Sequence, residues 1–479
     1  MDVIFFTVGC RLNQIESESA ARFFVEKSFS VSLVPLNAKS PVDYDTQLAV
    51  INTCAVTQKA EQKDRRMIRL ILEKCPNACV VVTGCYAQLS KPQILSINPR
   101  IAVLKGLLKS RITEVSSLLQ KQIENSPEKR INPVEFAKFL NEKIFSSSEN
   151  SVKVSENPFK LSTDSFLAHS RPSIKIQDGC NSSCSYCTIH IARGSSVSLS
   201  PSEVVMRVLN LEKSGYAEVV FTTVNISQYR GEYNGEILDF PHLLDLCIKK
   251  TSKIAFRISS LYPEVIDDFF CSVISSSRVR PHFHISVQSG SNKILSAMGR
   301  KYLREDIIEA CRKLNDAKLN PFIASDIITG FPGETDEDFA LTMDLCRKCN
   351  FSYVHVFPFS ERKNTPASTM KNKVPQYVRD ERAKKLSLLA LKNKAEYIKK
   401  CENKVFDAVL ETVKDEMYKI LPSGKKVFHA VTENFLHCMI TAEKDFDAPP
   451  QGSSVKLRIL PDSVFNLSES EIEVEAEFV

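Results

Sequence analysis

Short apolar runs alternate with helix-period stretches along most of the chain. Residues 3–8, 48–52 and 80–83 have the length and β-branched content of buried strands, while residues 17–27 and 60–74 repeat apolar positions at a period of 3.6. Strand and helix in alternation predict a parallel sheet covered by helices. From about residue 120 to 173 the periodicity fades, and Ser146 to Ser148 with Asn150 form a polar stretch that reads as a linker. A second alternating unit opens at Ile174, with strands expected at 174–177, 219–223, 255–259, 282–287, 322–328 and 353–358. Six βα repeats predict a barrel-like parallel sheet left open, smaller than an eight-stranded barrel. After a lysine-rich helical stretch, apolar runs at 404–413, 426–431 and 455–460, with turns such as Ser423-Gly424, predict a small β-barrel. The expected fold is therefore α/β, divided into 1–118, a linker at 119–165, an open barrel with trailing basic helix at 166–400, a β-barrel at 401–470 and an acidic tail at 471–479.

Composition narrows the class. A chain of 479 residues with 43% apolar and 25% charged residues has ordinary globular content, which excludes disorder and collagen-like repeats. No run of about 18 apolar residues occurs, and the N-terminus lacks a basic segment before its first apolar run, so neither a membrane span nor a secretory signal is expected. A chain kept in the reducing cytoplasm carries its 15 cysteines as thiols or metal ligands.

Net charge is only +6, but its distribution is uneven: residues 371–404 hold 11 basic and 4 acidic side chains, whereas five glutamates and no base follow from Glu469 onward. Lys384, Lys385, Lys392, Lys394, Lys399 and Lys400 are the candidate footprint for RNA. The same stretch also reads as a solvated helix face built on Leu386, Leu389 and Leu391.

The cysteines carry the chemistry. Cys180, Cys184 and Cys187 follow the first strand of the second unit on one loop. Three thiolates within eight residues share one small site, and three instead of four leave a coordination position vacant. Structural zinc closed by His190 is the alternative, although such sites more often use two separated ligand pairs, and a compact triplet suits one face of an iron–sulfur cluster. Cys10, Cys54 and Cys85 are far apart in sequence, yet each ends a predicted strand, so a parallel sheet projects all three from one edge. Cys75 and Cys79 precede the strand that Cys85 follows; five residues rise roughly 17 Å, which puts those two at the far edge. Cys247, Cys271, Cys311, Cys346, Cys349, Cys401 and Cys438 read as small buried apolar residues, including the Cys346-x-x-Cys349 pair.

The spacing Cys180-x3-Cys184-x2-Cys187 resembles the radical S-adenosylmethionine superfamily. Two tricysteine sites followed by a β-barrel resemble the methylthiotransferases across essentially the whole chain, the barrel resembling their RNA-binding TRAM domain through Val431-Thr-Glu-Asn-Phe435. Gly9-Cys10-Arg-Leu-Asn13-Gln14-Ile-Glu16-Ser-Glu18 looks like the branch acting on N6-threonylcarbamoyladenosine (t6A) in tRNA, as do Ile176 to Asn181, Thr222 to Ile226 and Val356 to Ser360. The branches acting on isopentenyladenosine tRNA and on a ribosomal-protein aspartate differ in the first segment. After Cys187 the family's Ile-Pro-Tyr-Ala-Arg-Gly is replaced by Ile189-His190-Ile191-Ala192-Arg193-Gly194, which removes a rigid proline.

The resemblance implies an auxiliary 4Fe-4S cluster on Cys10, Cys54 and Cys85, involved in supplying sulfur. It implies a second on Cys180, Cys184 and Cys187 whose remaining iron binds S-adenosylmethionine and whose electron cleaves it to a 5′-deoxyadenosyl radical. Such a radical suits an adenine C2–H that no side-chain base can usefully deprotonate, and the cofactors carry that chemistry. Implied partners are tRNA, near its anticodon at position 37, S-adenosylmethionine, and a flavodoxin- or ferredoxin-like electron donor. Tyr186, Asn225, Arg257 and Gln288 are the expected polar contacts to S-adenosylmethionine. Gly330-Phe-Pro-Gly333 is expected to let backbone approach the cofactor, and Thr335 with Asp338 reads as a capping box. Arg300 is read either as helix-end charge or as an active-site contact. A zinc-organised RNA-binding protein without activity is the reading from a different class.

Overall fold

The computed structural model describes all residues except 1, 34–35, 147–155, 163–170, 412, 414–417, 448, 466 and 469–470. Two units are distinguished: Met1–Thr163 with Gln177–Ser198 and Glu361–Ser368, and the remainder, Asp164–Ile176, Leu199–Ser360 and Thr369–Val479. The compact cysteine loop thus groups with the N-terminal domain, although its sequence follows the first strand of the open barrel.

In the first unit β1 (Asp2–Thr7), β2 (Ser30–Ser32), β3 (Thr46–Thr53), β4 (Cys79–Gly84) and β5 (Ile101–Val103) form an all-parallel sheet in the order β2-β1-β3-β4-β5. Alternate residues serve opposite faces. Val3, Phe5, Leu48, Val50 and Val81 pack with α1 (Arg11–Val25), whereas Ile4, Phe6, Ala49, Ile51, Val80 and Val82 pack with α2 (Gln58–Lys74) and with α3 (Cys85–Leu89). Both faces are covered, which is why these strands read as unbroken apolar runs.

Residues 119–165, expected as a linker, belong to this unit's core where they are described. Helix α4 (Ile112–Glu124) runs past the expected boundary, and Asn132 caps α5 (Pro133–Phe139) by accepting the Val134 and Glu135 N–H groups at 3.1 and 3.2 Å. Ile131, Phe136, Leu140 and Phe145 are buried in the same core as Phe5. A few large apolar groups among many charged ones hold this segment, so the average pattern fades while the anchors remain. Ser148 and Asn150 lie outside the described residues.

In the second unit β6 (Ser173–Lys175), β7 (Glu218–Thr222) and β8 (Ala255–Ile258) form one parallel sheet, and β9 (Ser260–Leu261), β10 (His282–Gln288), β11 (Phe322–Thr329) and β12 (Tyr353–Pro358) form another. The predicted third strand breaks at Ser259, pairing with β7 before the break and with β10 after it. Among the described residues β6 and β12 do not pair, so the six-stranded arc stays open. The capping box at Thr335 is present, with reciprocal bonds to Asp338.

The C-terminal strands are β13 (Val405–Glu411), β14 (Lys419–Ile420), β15 (Lys426–Thr432), β16 (His437–Ala442), β17 (Ser454–Val464) and β18 (Val474–Phe478). Their order is β14-β15-β16-β18-β17-β13, and pairing of β13 with β15 closes a five-stranded barrel. The expected acidic tail, 471–479, is largely β18: Val474 and Ala476 point into the barrel, and alternation puts Glu475 and Glu477 on the other face. Glu469 lies outside the described residues.

Two expected ligand contacts are corrected here. Arg257 is 2% exposed and belongs to an ionic cluster: Nε and Nη2 donate to Glu218 at 2.6 and 3.1 Å, Nη2 also donates to the Thr432 carbonyl, and the guanidinium lies over the Phe435 ring. It therefore joins the open barrel to the β-barrel and is not placed to contact S-adenosylmethionine. Lys394 is likewise buried and ion-paired with Glu473, so it is withdrawn from the RNA footprint.

Burial opposes ionisation of Glu218, yet Arg257, Arg171 and Arg280 hold its carboxyl down to about 2. A carboxyl depressed in the folded state contributes stability that is present above its ordinary range near 4.5 and is lost as pH falls towards 2. Glu218→Gln is expected to cost about 3–5 kcal/mol at neutral pH, because it strands buried guanidinium charge. Denaturant unfolding should show the gap between variant and parent shrinking between pH 5 and pH 3; a gap independent of pH would contradict this account of the cluster.

Candidate metal centres

The dispersed cysteines converge because strand register aligns their strand ends. Thr7 pairs with Asn52, and Asn52 with Thr83, so β1, β3 and β4 end level; Cys10 caps the start of α1, Cys54 follows β3 and Cys85 opens α3. Close approach dictates the glycines. At Gly9, with φ +107°, a Cβ would stand 2.6 Å from the Cys54 Cβ; at Gly84, with φ +96°, it would stand 2.4 Å from the Thr53 carbonyl oxygen.

Polar side chains brace the three ends. Asn13 Nδ2 donates to the carbonyls of Val8 and Thr53 at 2.9 and 3.1 Å, Asn52 donates back to the Asn13 carbonyl, and Thr53 Oγ1 donates to the Thr83 carbonyl. The Asp64 carboxylate accepts the Cys54 N–H at 3.0 Å. Burial pushes the Cys54 thiol up to about 12, with Cys85, Cys10 and Asp64 adding to it, and burial likewise raises Cys85. Thiols this reluctant to ionise alone ionise when a cation takes the proton's place.

The compact trio sits on a closed loop. Gln177–Asp178 pairs antiparallel with Val197–Ser198, the Cys180 N–H donates to the Gly194 carbonyl, and a Cβ on Gly179 would stand 2.0 Å from the Ser195 oxygen. Two sulfurs already accept backbone hydrogen bonds: Ser182 N–H to Cys180 Sγ and Ile189 N–H to Cys187 Sγ, both at 3.4 Å. Donors aimed at sulfur favour thiolate ligation. An open cavity of about 680 Å³ reaches Cys180 and Cys184 and is also lined by exposed His190. Among the described residues, no three His, Cys, Asp or Glu side chains gather at the spacing of a single metal ion. Two sets of three thiols, each on backbone turns that admit little else, fit 4Fe-4S clusters by donor chemistry.

The two centres are tied together within this unit. Arg193, on α6 (Ile189–Arg193), donates from Nη1 to Glu16 at 3.1 Å and to Asp178 at 3.0 Å, and from Nη2 to Asn13 Oδ1 at 2.7 Å. Lys109 adds bonds to Glu16 at 2.5 Å and to Asp178 at 3.2 Å. Burial works against the Arg193 charge, but Glu16 and Asp178 outweigh it and keep the guanidinium protonated. Ala192 packs in one core with Cys85, Tyr86 and Ala87. Asn13 thus braces one trio while bonded to the arginine that follows the other. Sequence reasoning missed this function of Arg193 and Glu16; both lie in the motifs quoted for the resemblance, and opposite charges beside two cysteine sites were the available signal.

Other expected residues are placed as follows. Tyr186 is half-buried between Cys184 and Cys187. Asn225 lies three residues beyond β7, and its Oδ1 accepts the Ser227 N–H and hydroxyl, capping a turn. Gln288 ends β10 with φ +72° and is buried. Arg300 stacks over Tyr262 and Tyr302. Gly330 makes room for the Arg379 side chain, and Gly333 is a turn glycine at φ +83° with open space around it. Cys75, Cys79, Cys311, Cys346 and Cys349 are all buried, the last three in neighbouring helices α9 (Arg304–Ala317) and α10 (Asp336–Lys348) or at the latter's end, which supports a packing role. The helices preceding these two in the barrel are α7 (Pro201–Lys213) and α8 (Phe240–Lys250).

Comparison with known proteins agrees with this construction. Residues 174–346 match the Radical SAM superfamily and residues 2–106 match Uncharacterized protein family UPF0004, so the fold and its cysteine loop define a radical S-adenosylmethionine enzyme preceded by a second cysteine-bearing domain. Threonylcarbamoyladenosine tRNA methylthiotransferase MtaB of Treponema pallidum (strain Nichols) is 39% identical, the alignment covering 95% of this chain and 97% of that protein. The Bacillus subtilis (strain 168) protein of the same name is 31% identical over 96% and 93%. The tRNA-2-methylthio-N(6)-dimethylallyladenosine synthase of Bacillus subtilis is 28% identical over 85% and 75%. The chain belongs to the threonylcarbamoyladenosine tRNA methylthiotransferase family. Its cofactors are accordingly 4Fe-4S clusters and S-adenosylmethionine. Among the described residues no helix is long and apolar enough to cross a membrane.

Proposed function

We propose that this protein adds a 2-methylthio group to t6A at position 37 of tRNA, in the cytoplasm. The observation that carries the reading is the pair of cysteine trios locked into one unit by Arg193, because the target carbon must reach a radical source and a sulfur source in one visit. Cys180, Cys184 and Cys187 hold the cluster that binds S-adenosylmethionine, and Cys10, Cys54 and Cys85 hold the auxiliary one. When bound, these groups supply the electron, the radical and the sulfur. The chain's own residues position them: Arg193, Asn13 and Lys109 fix the two loops, and Tyr186, between Cys184 and Cys187, is assigned to S-adenosylmethionine. A flavodoxin- or ferredoxin-like protein is the electron donor. Mass spectrometry of tRNA nucleosides from cells lacking the gene should show t6A accumulating and its 2-methylthio derivative missing; an unchanged profile, or loss of methylthio-isopentenyladenosine instead, would overturn the reading.

RNA binding falls to the surface of α11 (Gln376–Lys399) and the turn after it. Lys385 and Lys392 are exposed but paired with Glu381 and Glu396, at 2.7 and 3.8 Å. Lys384, Lys399 and Lys400 are exposed and make no ion pair among the described residues. Replacing these three by glutamine is expected to weaken tRNA binding and to lower the slope of log K against log salt by up to about 3, roughly one unit for each phosphate no longer neutralised. Titrations between about 50 and 200 mM salt, a range in which phosphate neutralisation acts strongly, check this; an unchanged slope would remove these lysines from the interface.

A further inference from the structure

A second cavity in the first unit, about 350 Å³, is lined by residues that stand next to both cysteine trios without being ligands. Arg65 reaches it from α2 and donates to the hydroxyl of Tyr86, the neighbour of Cys85, at 3.0 Å. Thr188 and Ile191, just after Cys187, form another wall, and Ile191 also lines the cavity that reaches Cys180 and Cys184. Ile191 and Asn364 line both cavities, so a group held here neighbours the cavity that reaches Cys180 and Cys184.

The lining is cationic and rich in amides. Arg65, Arg362 and Lys363 face two carboxylates, Glu61 and Glu361. Glu61 is ion-paired with Arg362 and stands 3.9 Å from Arg65, so one anion is shared between two guanidiniums. Arg362 is 6% exposed, and its Nε is buried without a hydrogen-bond partner among the described residues. A buried N–H left unpaired is costly, and an incoming oxygen anion relieves that cost. Gln62, Gln93 and Asn364 add neutral donors and acceptors.

We propose that this cavity seats the threonylcarbamoyl substituent of the target adenosine, with Arg362 and Arg65 receiving its carboxylate and the amides meeting its carbamoyl and hydroxyl groups. The proposal rests on the t6A reading above and makes these two arginines determinants of specificity. An isopentenyl group, wholly apolar, would leave the same polar groups buried and unsatisfied, and a site built for hydrogen bonds rejects a substituent that lacks them. A carboxylate and a backbone phosphate would both satisfy guanidinium groups, so the test must separate them.

Full-length protein is titrated with anticodon stem-loops carrying t6A, unmodified adenosine, the methyl ester of t6A or isopentenyladenosine, all sharing one phosphate backbone. The expected result is that the parent prefers the t6A stem-loop. Arg65→Ala and Arg362→Lys should each lose about tenfold or more of that affinity while binding the unmodified stem-loop within about twofold of the parent, and the methyl ester should bind the parent about as weakly as t6A binds the variants. Arg65→Lys, which keeps the charge, should recover part of the loss. Equal weakening of modified and unmodified stem-loops would assign the arginines to phosphate or to folding and overturn the proposal. A parent that prefers t6A with variants that do too would overturn the proposal alone, whereas a parent that prefers isopentenyladenosine would overturn the t6A reading itself.

Discussion

Alanine at Cys180, Cys184 and Cys187 together is expected to abolish both cleavage of S-adenosylmethionine and thiomethylation of tRNA, down to background. These three thiols share a loop closed by the pairing of Gln177–Asp178 with Val197–Ser198, and two of their sulfurs receive backbone N–H groups. Those donors remain in the variant with nothing to bind. Because α6, at the loop's end, is anchored by Arg193 to Glu16, Asp178 and Asn13, the unit should stay folded, and circular dichroism should match the parent. Anaerobic assays of 5′-deoxyadenosine and of methylthiolated nucleoside measure the loss. Substantial 5′-deoxyadenosine from the triple variant would show that this loop is not the site of radical generation.

Alanine at Cys10, Cys54 and Cys85 should separate the two activities. Thiomethylation is expected to vanish while reductive cleavage of S-adenosylmethionine continues, because the second trio keeps its own ligands. Cys54 and Cys85 are buried, so truncating them also removes small apolar groups from the ends of β3 and β4, at about 1 kcal/mol or more each. The brace of Asn13, Asn52 and Thr53 and the two-faced core should absorb that loss. The same pair of assays reads the outcome, and methylthiolated tRNA from this variant would exclude the dispersed cysteines from sulfur delivery.

Much of this architecture was legible because periodicity is a local property. Unbroken apolar strands announced a sheet covered on both faces, and a cysteine at the end of each of three strands announced convergence, since parallel strands end on one edge. Residues whose role depends on a distant partner were not legible. Arg257 reads as a strand-end ligand contact because nothing near it in sequence shows Glu218 or the Thr432 carbonyl waiting beside it. Lys394 looks like any other lysine of a basic helix until Glu473, 79 residues away, closes on it. The glutamate-rich end reads as a solvated tail because the small residues Val474 and Ala476, which fill the barrel, carry little weight in an average. Arg193 stands in a motif, but its bond to Asn13 spans 180 residues and joins two sites that the sequence presents as separate.

Iron and acid-labile sulfide per chain, measured on anaerobically prepared protein, test the central claim most directly. The account predicts about eight of each for the parent and about four for each triple-cysteine variant, as two independent 4Fe-4S clusters require. About four in the parent, or zinc in place of iron, would contradict it.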